Sequence, residues 1–70
     1  MKIELSHGQF LNIRKDKHTS LTLDNGEAKC LKIGEEVHLS RSGATHRGRV
    51  LSKISHHKWV GKTIVLIGDL

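Results

Sequence analysis

The chain has no proline and no tyrosine, and only one cysteine, one tryptophan and one phenylalanine among its 70 residues. A single thiol, Cys30, excludes an internal disulfide, and no cysteine pair is present to anchor a structural zinc. Without proline, chain reversals fall to the seven glycines and to Asn and Asp. With aromatics at 3%, Phe10 and Trp59 are the only large rings available to a core or to a stacking surface. No apolar run approaches the roughly 20 residues of a membrane-spanning helix. Residues 1–10 lack the apolar block of a secretory signal, so the expectation is a cytoplasmic protein with no membrane partner.

What is present is short and blocked. Leu, Ile and Val recur in small groups between glycines, within a hydrophobic fraction of 36%, and no low-complexity stretch interrupts them. Seventy residues accommodate one domain, 1–70, whose small core leaves little stability to spare.

Charge is distributed unevenly. The net charge is +5 with six histidines uncounted. Residues 1–35 hold six Lys or Arg against five Asp or Glu, giving +1, whereas residues 36–70 hold six against two, giving +4. No acidic residue occurs between Val37 and Gly68. An acid-free basic segment suits a phosphate-rich partner, because each Lys or Arg contact releases condensed counterions. It serves equally as a solvated face.

The periodicity reads mainly as strands. Lys2–Leu5 alternates apolar and polar residues, and Ser6 is placed to cap a short helix over Gln9–Lys17. Thr19–Leu23 alternates cleanly, and Asp24-Asn25-Gly26 reads as a turn. Ala28–Ile33 reads as a further alternating stretch with Cys30 in the core. Gly34 turns the chain into Glu36–Ser40, with Val37 and Leu39 inward and Glu36 and His38 outward. Arg41–His46 reads as a polar loop, and Arg47–Ile54 as a strand burying Val50, with Leu51 and Ile54 as further core candidates. Thr63–Ile67, an unbroken β-branched and leucine run, reads as a strand buried on both faces. The expected fold is mainly β: a small barrel of about five to six short strands with one short helix.

Few residues invite catalysis. His46, His56 and His57 form no metal-ligand spacing, and neighbouring residues on a strand point to opposite faces. No nucleophile elbow, phosphate loop or dinucleotide fingerprint occurs, so no catalytic residue, metal or cofactor is expected. Binding is better supported. Arg47 and Arg49 are two apart and would share a strand face, with Lys53 further along and Arg41 nearby. Gly48 between them marks a bulge or a close backbone approach. Trp59 lies between Lys58 and Lys62, where a ring can stack an unpaired base, although the scarcity of aromatics favours core packing for it.

The order of these features resembles the ASCH domain of the PUA-like superfamily in its shortest versions. Such domains run from a strand into a short helix bearing a Phe, here Phe10, and then a strand with a Lys-Thr-x-x-Ile-Arg type motif. A glycine turn, a Gly-x-Val strand and a closing apolar strand follow. The corresponding segments are Thr19–Asp24, Lys32–Val37, Arg47–Val50 and Thr63–Ile67. The resemblance implies a barrel with a cleft for RNA or a modified nucleoside. One branch of the family hydrolyses acetylcytidine, but the Lys position falls on Thr19, the Arg position on Asp24, and the later Glu has no counterpart. A second resemblance, over Ile33–Ile54, is to a KOW-type barrel hairpin, which does not require the early helix.

The expectation is a basic nucleic-acid-binding module without catalysis, RNA being favoured over duplex DNA. Its binding residues would be Arg41, Arg47, Arg49, Lys53, Lys58 and Lys62, with His46, His57 and Trp59 as adjuncts. The alternatives are a module for an acidic protein surface, such as a phage-encoded inhibitor of a host protein, and a nucleoside amidohydrolase.

Overall fold

A computed structural model describes residues 2–70. Its elements are β1 (Lys2–Glu4), α1 (His7–Asp16), β2 (His18–Asp24), α2 (Asn25–Lys29), β3 (Glu36–Arg41), β4 (Ala44–Ser55) and β5 (Lys62–Asp69). The strands form one sheet in the order β1-β3-β4-β5-β2, curled into a half-barrel, with β1 and β2 at its edges. The β1–β3 pair is parallel and the other three are antiparallel. The fold is therefore mainly β and barrel-like, with five strands, and with two helices where one was expected.

Alternation decides the two faces of the sheet. Cross-strand partners share a face, which places Ile3, Leu39, Val37, Val50, Ile67, Val65 and Leu21 together on the concave side. Both helices close that side: Ile13 from α1, Ala28 from α2 and Leu31 just beyond it complete the core. Among the described residues no element covers the convex side.

The cap of α1 falls on Ser6, as expected. The Ser6 hydroxyl accepts from the Gln9 amide, and the Gln9 side chain accepts from the Ser6 amide at 2.9 Å, a reciprocal capping box. The helix begins at His7 rather than Gln9 and stops at Asp16, because Lys17 adopts a left-handed conformation at φ 67°. Arg14 and Lys15 occupy its last turn, where cations suit the helix dipole.

Residues 24–33 depart from the expectation. Asn25 opens a five-residue helix instead of completing a turn. Its amide donates to the Gly61 carbonyl at 2.9 Å and its side-chain oxygen accepts from the Thr63 hydroxyl at 2.6 Å, which ties the chain back onto β5. Ala28 and Leu31, three apart, are the buried pair, so the period is helical and not that of a strand. Cys30 consequently points to solvent rather than into the core.

The polar stretch 41–46 is also tighter than a loop. Ser42 and Gly43, both at positive φ (49° and 85°), form a two-residue hairpin turn between β3 and β4. Gly48 marks a close backbone approach. A Cβ there would lie 2.9 Å from Ile67 Cγ2 and 3.0 Å from Leu39 Cδ1.

The bulge itself is three residues on. Val50 pairs with Ile67 and Ser52 with Leu66, leaving Leu51 as the extra residue. The bulge inverts the alternation for the rest of β4. Leu51 and Ile54, expected in the core, are therefore exposed on the convex face, and Leu51 lies over Gly68. On β5, Val65 and Ile67 are fully buried while Ile64 and Leu66 are half-buried on the open face. That strand is enclosed on one side only.

Candidate nucleic-acid interface

The six cations of the second half do not converge. Arg47 and Arg49 lie on the convex face as expected, opposite His38 and Glu36 in the β3 register. Arg47 is paired with Glu36, its guanidinium 3.2 Å from the carboxylate. Arg49 is exposed and has no such partner among the described residues. Arg41 stands at the β3–β4 hairpin, at one end of β4, and Lys58 stands in the loop at the other end.

Lys53 is on the other side of the sheet. Without the bulge it would continue the Arg47–Arg49 row, but the extra residue at Leu51 turns it toward α2. Its ammonium donates to the carbonyls of Leu31 at 2.6 Å and Ala28 at 3.2 Å. These carbonyls lie at and beyond the C-terminal end of α2, where a cation suits the negative end of the helix; the Ala28 carbonyl also accepts from the Leu31 amide at 3.1 Å. Lys62 is likewise committed, to Asp24, its partner in the β2–β5 register. The ion pair holds the Asp24 carboxyl below its ordinary value and raises the Lys62 ammonium above its own.

His46 is a structural residue. Its Nε2 donates to the Asp69 carboxylate, which also faces Lys17 at 3.7 Å. The hydrogen bond from His46 is the main reason the Asp69 carboxyl sits below the usual carboxylate range. Among the described residues no cluster of His, Cys, Asp or Glu is placed to hold a metal ion.

The loop between β4 and β5 is more organised than its composition implied. The His56 ring stacks with both His57, at 5.0 Å, and Trp59, at 4.6 Å, each nearly parallel to it. The His56 Nδ1 accepts from the Lys58 and Trp59 amides at 3.0 and 3.1 Å, so the same ring fixes the loop backbone. Gly61, at φ 84°, returns the chain to β5, and the His56 amide donates to the Lys62 carbonyl. Trp59 is 59% exposed, not part of the core. With both helices closing the concave side, the core is filled by aliphatic residues and has no need of the indole.

His57 was expected among the binding residues and His56 was not, yet it is His56 whose hydrogen bonds organise the loop. Nor were Asp24, Glu36 and Asp69 expected as partners of Lys62, Arg47 and His46. All three acids lie outside the acid-free segment, and pairing across a sheet is not visible in a linear charge count. No family model, curated protein or solved structure matches this chain.

Proposed function

We propose that this chain binds single-stranded nucleic acid, RNA before duplex DNA, along the line of β4. Bases stack on the exposed indole of Trp59, and phosphates are met by Lys58 beside it and by Arg49 on the convex face. Arg47 joins them when it exchanges Glu36 for a phosphate, and Arg41 serves the far end at the hairpin. The observation that carries this reading is the preorganised ring stack beside Lys58, because a fixed aromatic face next to a cation suits an unpaired base of any identity. From Arg49 to Trp59 the strand and loop cover on the order of 25–30 Å, close to the 31 Å long axis of the molecule. That length suits a few extended nucleotides.

Lys53, Lys62 and His46 leave the binding set, since each has a structural partner. The likeness to a minimal ASCH domain is consistent with the reading and is supported by α1, which a KOW-type barrel does not require. An amidohydrolase activity has no support: Thr19 is buried in the core and Asp24 is tied to Lys62.

The test is electrophoretic mobility shift with a short single-stranded RNA over a range of salt concentrations. Three to four phosphate contacts correspond to a slope of log K against log salt of about −2 to −3. Binding without salt dependence removes the electrostatic part of the proposal.

One observation favours a second reading. Leu51 and Ile54 are exposed on the uncovered face beside half-buried Ile64 and Leu66, the kind of apolar strip that a protein partner covers. Pull-down with and without nuclease separates the two. An association that survives nuclease and is lost in Ile54→Ser belongs to the apolar strip.

A further inference from the structure

Between α2 and the end of the β4–β5 hairpin lies an open cleft of about 310 Å³, lined by Asn25, Lys29, Lys53, Ser55 and Thr63, with Ala28 as its apolar wall and Ile54 at its border. It is separate from the ring stack and from the Arg49 face, and the strand-binding reading makes no use of it.

Its lining is rich in donors. Lys53 spends two of its three N–H groups on the Leu31 and Ala28 carbonyls, which leaves one for the cleft. The Asn25 side-chain oxygen is occupied by the Thr63 hydroxyl, so the part of that amide still unmatched is its NH2 group. Ser55 adds a hydroxyl and Lys29 a second ammonium. No carboxylate lines the cleft. The nearest in sequence, Asp24 and Glu27, both act on Lys62: Asp24 through its ion pair, and Glu27 as a neighbouring charge. Two ammonium groups thus share a concave site with free donors and no counter-charge, and the volume is at the lower end of small-ligand sites, near about 300 Å³.

We infer that this cleft is an anion site for a phosphate monoester. A tetrahedral dianion presents several acceptor oxygens to donors arriving from α2, β4 and β5. The same chemistry is offered by a free nucleoside monophosphate and by the 5′-terminal phosphate of a strand.

The experiment is an amide NMR titration of the intact chain with inorganic phosphate, with uridine 5′-monophosphate, and with a short RNA carrying either a 5′-phosphate or a 5′-hydroxyl. Saturable shifts at Asn25, Ser55 and Thr63 with inorganic phosphate, at a Kd on the order of 1 mM, are expected. The double variant Lys29→Ala with Ser55→Ala alters exposed side chains only and should weaken that binding about tenfold. Lys53→Met should abolish it, but that lysine also holds the end of α2, so the double variant is the deciding one. Tighter binding of the free monophosphate than of inorganic phosphate identifies a nucleotide. Preference for the 5′-phosphorylated RNA over its 5′-hydroxyl counterpart identifies a strand end. Unmoved cleft amides, or identical shifts in the double variant, overturn the inference. Binding of the 5′-hydroxyl RNA is read separately at Trp59, so the cleft and the strand-binding surface can fail independently.

Discussion

The Lys53 ammonium sits 2.6 Å from the Leu31 carbonyl, on the opposite side of the sheet from Arg49 four residues earlier in the same strand. One extra residue, Leu51, produces that separation. It converts a row of three surface cations into two surface cations and one helix-end clamp. Replacing Lys53 by Met should therefore destabilise the fold by about 1.5–3 kcal/mol, the range for hydrogen bonds made by a charged group. Urea denaturation measures this, and Arg49→Ala measured alongside should stay within about 0.5 kcal/mol of the parent, as exposed positions do. Equal stability of Lys53→Met and parent would remove the clamp.

Gly48 is buried in β4 between Val37 of β3 and Asp69 of β5. A methyl group there would meet Ile67 Cγ2 at 2.9 Å and the Gly68 carbonyl oxygen at 3.0 Å. Gly48→Ala should cost about 1–3 kcal/mol through overpacking. The midpoint of thermal unfolding, followed by circular dichroism, should fall accordingly.

Thr19 is buried on β2 opposite Ile67, and its hydroxyl has no hydrogen-bond partner among the described residues. A buried unsatisfied hydroxyl is a cost that a methyl group does not carry. Thr19→Val should stabilise the chain by about 1 kcal/mol in the same unfolding assay. Destabilisation would mean that the hydroxyl is satisfied in solution.

The Asp69 carboxyl is held below its ordinary 3.8, mainly by the hydrogen bond from His46. A carboxyl whose value is lower folded than unfolded contributes stability that is complete above the unfolded value. That contribution is lost as pH falls through the folded value. Thermal stability should therefore decline below about pH 4, and Asp69→Asn should reduce the steepness of that decline. An unchanged pH profile in the variant would assign the decline to other groups.

Much of the fold could be read from alternation and punctuation. Ser6 marked the cap of α1, Val37 and Leu39 fixed the inner face of β3, and Gly34 marked a turn at φ 92°. Two local signals were ambiguous. Ala28 and Leu31 fit a helix as well as a strand when only a few residues are available, and Asn25 is committed to its helix by contacts with Gly61 and Thr63, more than 30 positions away. The bulge at Leu51 has no mark in the sequence, yet it decides which way Lys53, Ile54 and Ser55 face. The binding set shrank for the same kind of reason: Asp24, Glu36 and Asp69 reach Lys62, Arg47 and His46 through register, which composition does not encode.

Trp59 is the only tryptophan and there is no tyrosine, so intrinsic fluorescence reports on the ring stack alone. The most direct test is titration of the intact chain with single-stranded RNA, read as quenching of that fluorescence at low and at physiological salt. Saturable quenching that weakens as salt rises is expected, with affinity reduced by about 1–3 kcal/mol in Trp59→Ala measured by mobility shift. An emission spectrum that does not change while RNA is present in excess would contradict strand binding along β4.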